Sequence, residues 1–145
     1  SALRVICRDI DSLIVDAIVN AANASLLLVG EVYEVPFIVR LTELVQKCHL
    51  LDECQTGDAK LTRGYRLPAR YVIHAVGPVW TGGNNGEPAQ LASCYRRSLK
   101  IAAKNRTPPT AFPSIYGYPI ELAANVAIDS VRTTMAGLSS VYEET

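Results

Sequence analysis

No two of the four cysteines, Cys7, Cys48, Cys54 and Cys94, stand at the two-residue gap of a zinc knuckle or a dithiol redox motif. The 145-residue chain is also too large and too apolar for a disulfide-framed mini-protein. The four are therefore expected as reduced, mostly buried thiols. No apolar run approaches the ~20 residues that span a bilayer. The opening SALRVICRDI lacks the pattern of a secretory signal, so the expectation is a soluble, cytoplasmic protein. Neither charge sign dominates. The 14 Lys and Arg balance 14 Asp and Glu, which argues against affinity built on coating nucleic acid or an acidic membrane. A small anionic ligand stays compatible, because it needs only local donors. Repeats and low-complexity tracts are absent, and with 49% hydrophobic against 19% charged residues disorder is excluded as the default. The length suits one domain with a proper core.

What is present is an alternation of apolar runs with helical periods. Residues 3–10 read as a short strand, with Val5 and Cys7 set against Arg4 and Arg8. Residues 13–21 form a nearly continuous apolar run, the mark of a strand buried on both faces. Over 37–51 the period changes, with Phe37, Leu41, Leu44, Cys48 and Leu51 at helical spacing. TGDAKLTRGYRLPA reads as turns around a short strand, and 71–77 as a second buried strand. TGGNNGEP is a loop. A helix over 88–104 places Leu91, Tyr95, Leu99 and Ala102 on one face, with Pro88 near its start. A strand at 110–114 follows, and Pro119 opens a helix carrying Leu122, Val126, Ile128 and Val131. Such alternation implies crossover connections and a mainly parallel, mixed sheet with helices on both faces. In sheets of this kind the ligand crevice lies at the carboxyl ends of the strands.

Asn20 and Asn23, in VDAIVNAAN, fall at one such end, and residues 114–118 at another. An Asn side chain offers two donors and an acceptor without charge. From these residues alone, turn capping and ligand contact are equally open. His74, inside the apolar YVIHAV, reads as a satisfied core histidine. Cys48 and His49 do not share a helix face, so a metal pair is not expected. Lys60, Arg63, Arg66 and Arg70 read as a solvated edge, and Tyr65 and Trp80 as packing groups.

Several blocks in order, VDAIVNAAN, CQTGDAKLTRGYRLPARYVIHAVGPVW, LASCYRRSL and AFPSIYGYPIELAA, together resemble the macrodomain family. They are most similar to its bacterial branch of ADP-ribosyl hydrolases and O-acetyl-ADP-ribose deacetylases. The resemblance runs from about Arg8 to Arg132. It implies a single three-layer α/β/α sandwich over 1–145, lacking the C-terminal strand and helix of relatives. It also implies ADP-ribose or its esters as ligand, with ADP-ribosylated proteins as partners, and no metal or redox cofactor. Asp9 matches the residue that accepts a hydrogen bond from the adenine amino group, with Ile10 beside it. Asn20 matches the first Asn of the family's NAAN motif, whose role is mainly structural. Asn23 matches the second, which holds the distal ribose next to the scissile bond. Gly30 and Val32 fall in the first phosphate loop, and Ser114, Ile115, Tyr116, Gly117 and Tyr118 in the second.

Two departures stand out. After NAAN the chain reads ASLLLVGEVYEVPF, with Leu28, Val29 and Glu31 where relatives carry glycines that let amides approach the diphosphate. Tyr33 occupies the position of the aspartate that orients the attacking water in hydrolytic members. A phenol with an ordinary pKa near 10 is a poor base at neutral pH. Between Ile115 and Tyr116 about four residues of the second phosphate loop are missing relative to the family pattern. Both departures fall on the phosphate loops while the scaffold blocks are nearly intact. That pattern fits lost ligand chemistry, or a sequence from which loop residues are missing. Three functions remain open at this level: an ADP-ribosyl ester hydrolase, a non-catalytic ADP-ribose reader, and a scaffold with a degenerate cleft.

Overall fold

The computed structural model describes residues 15–22, 54–64, 68–106, 110–112 and 118–138. The strand expected at 3–10 and the helix expected at 37–51 lie outside them. The described elements are strands β1 (Ala17–Ala22), β2 (Ala59–Arg63), β3 (Tyr71–Val76) and β4 (Thr110–Ala111), and helices α1 (Glu87–Lys104) and α2 (Ile120–Gly137). The strands form one sheet in the order β2-β3-β1-β4. β1 runs parallel to both its neighbours, and β2 is antiparallel to β3. The mixed, mainly parallel α/β sheet expected from the alternation is what the chain forms. Among the described residues, no helix is long and apolar enough to cross a membrane.

The continuous apolar run of β1 follows from its place. A strand with a parallel neighbour on each side has both faces covered, and Ala17, Ile18 and Val19 are each 4% exposed or less. Side chains alternate between the faces. Ala17, Val19, Ile73, Ala75 and Ala59 line one face and pack with Cys94 and Ala102 of α1. Ile18, Val72 and Val76 are buried on the other. β2 borders the sheet among the described strands, and its burial is correspondingly mixed. Gly64, at its end, has the Ala69 carbonyl where a Cβ would stand, and its N–H donates to the Arg70 carbonyl at 2.7 Å. Only glycine permits that tight return into β3.

α1 starts with Pro88 in its first turn, where a missing N–H costs nothing. It ends at Asn105, whose side-chain amide donates to the Ile101 carbonyl at 2.8 Å, beside the backbone N–H of Asn105, which donates to the same oxygen at 3.1 Å. The expected face, Leu91, Tyr95, Leu99 and Ala102, is buried as a set. Three of these, Leu91, Tyr95 and Leu99, pack with Tyr118, Ala123 and Val131 to join α1 to α2. The α2 expectation needs one correction. Leu122 is 46% exposed, and the contact side of α2 is formed by Ala123, Val126, Ala127, Val131 and Met135. The main partner of α2 among the described elements is α1, and Leu122 falls outside that contact.

Two substitutions in α1 separate core filling from polar burial. Leu91 is fully buried, so Leu91→Ala is expected to cost about 2–5 kcal/mol of unfolding free energy. Ser98 is equally buried and its hydroxyl has no hydrogen-bond partner among the described residues. Ser98→Ala removes that unsatisfied group and is expected to be neutral or stabilising by up to ~1 kcal/mol. Urea unfolding of both variants checks the opposite signs, and a destabilised Ser98→Ala would refute the second.

Candidate functional site

β1, β3 and β4 run parallel, so their carboxyl ends share one edge of the sheet. At β1 the chain order reverses. β3 lies on one side of it and β4, reached through α1, on the other. That is where an open α/β sheet leaves a crevice. The described part of β4 pairs with the start of β1, Ala111 opposite Ile18, while β1 runs on to Ala22 beside Val76 of β3. Of the proposed site residues, Asp9, Ile10, Asn23, Gly30, Val32, Tyr33, Ser114, Ile115, Tyr116 and Gly117 lie outside the described residues. Asn20 and Tyr118 lie within them.

Asn20 is 5% exposed and turns into the sheet interior. The register sets it directly beside His74, and its amide donates to His74 Nδ1 at 3.2 Å. Nδ1 must then accept, so the ring proton sits on Nε2, which donates to Thr62 Oγ1 at 2.8 Å. One polar line thus crosses β1, β3 and β2. The core role read for His74 is the one it plays. Its ring is fully buried, and desolvation lowers its pKa from 6.5 to about 4. Asn20 has the structural role that the resemblance assigned to the first Asn of the motif.

Tyr118 is 6% exposed and packs among Leu91, Tyr95, Leu99, Ala123 and Val131. Its ring meets Trp80 edge-on, with centroids 4.8 Å apart and planes at 64°. Burial, then the nearby Glu87 charge, raises the phenol pKa. The Tyr118 ring is thus a packing group between the helices. Trp80 has the packing role read for it, and the contact holds Tyr118 at the carboxyl edge, close to where β3 ends.

Sequence reading treated TGGNNGEP only as a loop and missed Glu87. This carboxylate is 2% exposed. Oε2 accepts the Thr81 N–H at 3.1 Å, the Thr81 hydroxyl at 3.3 Å and the Gly83 N–H at 2.7 Å. Oε1 accepts the Asn85 N–H at 2.6 Å. Burial alone would raise its pKa. The amides, chiefly those of Thr81 and Gly83, outweigh burial and hold the carboxyl at about 2. The signal available in the sequence was an acidic residue at a helix start directly behind three glycines, Gly82, Gly83 and Gly86.

The remaining polar groups serve the scaffold. Arg97 Nε donates to Asp58 at 3.0 Å, and Ser93 donates to the Gly57 carbonyl at 2.7 Å, tying α1 to the turn before β2. Arg63 and Arg70 are exposed, as read for the basic stretch, and Arg70 faces Asp16 at 3.5 Å. A pair this open contributes at most about 1 kcal/mol. Cys54 and Cys94 are buried free thiols, and burial pushes Cys94 up to about 11. Among the described residues, no cluster of His, Cys, Asp or Glu could hold a metal ion.

The family model for the Macro domain matches residues 19–127. "Macro domain-containing protein CT2219" of Chlorobaculum tepidum is 54% identical over 138 residues, covering 92% of this chain and 80% of that protein. The ADP-ribose glycohydrolase MACROD2 of Homo sapiens is 47% identical over 133 residues, covering 88% of this chain and 31% of that protein. Among solved structures, the Trypanosoma brucei macrodomain in complex with ADP-ribose superposes with a TM-score of 0.81 at 38% identity, covering 91% of this chain and 56% of that one. The chain belongs to the macrodomain family. The match to the Chlorobaculum tepidum protein spans 138 positions but draws on 92% of 145 residues here, about 133, so about five residues of the relative face no counterpart.

The His74 pKa sets a pH signature for the polar line. The folded value of about 4 lies below the unfolded 6.5. Its stability contribution is therefore complete above pH 6.5 and is lost as the pH falls towards 4. The loss attributable to this one ring is on the order of 3 kcal/mol. Urea unfolding of the wild type and of His74→Gln across this range is expected to show their stability difference shrinking with acidification. A difference independent of pH would rule out a buried neutral ring.

Proposed function

We propose that this chain is a single ADP-ribose-binding macrodomain of the type that hydrolyses O-acetyl-ADP-ribose or mono-ADP-ribosyl esters, with turnover held low by Tyr33. The observation that carries the reading is its likeness to a macrodomain solved with ADP-ribose, at 38% identity and a TM-score of 0.81. The parallel course of β1, β3 and β4 supports it, because the segments read as the two phosphate loops follow strands that point to the same edge of the sheet. In this reading Asp9 accepts from the adenine amino group and Asn23 holds the distal ribose. The ligand's own diphosphate places the attacking water. No metal takes part.

Tyr33 is the ground for the low turnover, and for the second reading, a non-catalytic ADP-ribose reader. A phenol at neutral pH is protonated and cannot take a proton from water as a carboxylate does. Leu28 and Val29 restrict the amide approach that glycines allow. The shorter second loop removes further donors. Losing several charge-assisted hydrogen bonds costs on the order of several kcal/mol, or a few powers of ten in affinity.

Calorimetric titration with ADP-ribose is expected to show binding weaker than micromolar, and O-acetyl-ADP-ribose is expected to turn over slowly. Tyr33→Asp is expected to raise turnover without a matching gain in affinity. Absence of ADP-ribose binding at millimolar concentration would remove the ligand assignment. Fast turnover by the wild type would instead remove the role given to Tyr33.

A further inference from the structure

We propose that Glu87 is a positioning residue for the ligand cleft, acting through the 81–86 loop and Trp80 to hold Tyr118 and the turn that leads into α2. The inference rests on the ADP-ribose reading above. Four donors converge on this one carboxylate, from Thr81 (N–H and hydroxyl), Gly83 and Asn85. A concave row of amides usually collects an external anion. Here the protein's own side chain fills it. Positive φ at Gly82 (104°) and Gly83 (89°) lets the loop curl its amides inward, a backbone state that L side chains rarely adopt.

The next link is steric. A Cβ at Gly83 would lie 2.7 Å from Trp80 Cη2. The indole therefore rests on the Gly83 backbone, and the Glu87 clasp determines where that backbone stands. Trp80 in turn meets Tyr118 edge-on at 4.8 Å. Tyr118 directly follows the segment read as the second phosphate loop, and Pro119 then leads into α2. Carboxylate, loop, indole and phenol are thus in sequential contact. The series runs from the start of α1 to the point where the cleft segment rejoins the fold. With about four loop residues fewer than relatives, this chain has less backbone of its own to set the position of that segment.

Glu87→Gln preserves volume but replaces one acceptor oxygen with a donor. An NH₂ at the Oε1 position opposes the Asn85 N–H, and at the Oε2 position it opposes those of Thr81 and Gly83. Either arrangement sets at least one N–H against another and loosens the loop. Gly83→Ala displaces Trp80 from the other side and leaves the carboxylate intact. Trp80 is the single tryptophan of the chain, so its emission reports the clasp directly.

The experiment compares the wild type, Glu87→Gln, Gly83→Ala, their double variant and Ile101→Ala by ADP-ribose titration, Trp80 emission and thermal melting. Ile101 packs on the sheet side of α1, away from Trp80. Both clasp variants are expected to weaken ADP-ribose binding about ten-fold and to shift the emission, and the double variant is expected to be little worse than either. Ile101→Ala is expected to lower the melting temperature and leave both readouts unchanged. The inference fails if the clasp variants bind within two-fold of wild type, or if folded Glu87→Gln leaves the emission unmoved. It also fails if Ile101→Ala weakens binding equally, since stability alone would then explain the loss. Should Glu87→Gln not fold, Gly83→Ala decides the matter. A wild type that binds no ADP-ribose overturns the ligand reading and this inference together, whereas wild-type binding with unaffected variants overturns the inference alone.

Discussion

β1 has a parallel strand on each side and a covered face above and below. A strand in that position has no solvent-facing side to which a polar residue could be assigned, so every polar group along it needs a partner within the sheet. Asn20 is such a group, and the register supplies His74 directly beside it. His74 then needs an acceptor for its own proton and finds Thr62 on β2. A slip of one residue would turn Asn20 to the face packed by Cys94 and Ala102 and leave His74 without this donor. The polar line therefore specifies the register that the apolar residues only favour. It also fixes where β1 ends relative to β3, and hence where the carboxyl edge of the sheet lies.

The helix layer depends on that edge. α1 carries the chain from β3 to β4 across the sheet, so its start is tied to the end of β3 through Trp80 and the 81–86 loop. Two apolar clusters share the buried side of α1. One joins it to the sheet through Cys94 and Ala102, and the other joins it to α2 through Leu91, Tyr95 and Leu99. Phe112, just past β4, touches both clusters. Burial holds the strands and helices of this arrangement. A chain can therefore keep the macrodomain fold while its phosphate loops depart from the pattern of its relatives.

Much of this was legible in the residues themselves. The period-3.6 spacing of Leu91, Tyr95, Leu99 and Ala102 marked the buried face of α1, and the nearly continuous apolar run marked β1 as a doubly covered strand. The family blocks brought ADP-ribose into view before any geometry did. Other features were not legible. Leu122 had helical spacing with Val126 but is exposed, because which side of α2 meets α1 depends on the docking of the two helices. Tyr118 was assigned to ligand by its place in YGYP, yet its ring packs under Trp80, since a motif gives position along the chain and not side-chain direction.

The sequence by itself determined the alternation of elements, the central burial of β1, the family, and the chemical weakness of Tyr33 as a base. Those properties depend on residue type and on spacing within one segment. Only the tertiary structure decided that β2 runs antiparallel to β3, that Asn20 bonds to His74 across strands, and that Glu87 is clasped by its own preceding loop. Each of these depends on backbone groups brought together from separate segments or by positive-φ glycines. Hydrogen bonds are directional over about 3 Å, a distance that residue spacing along a chain does not encode.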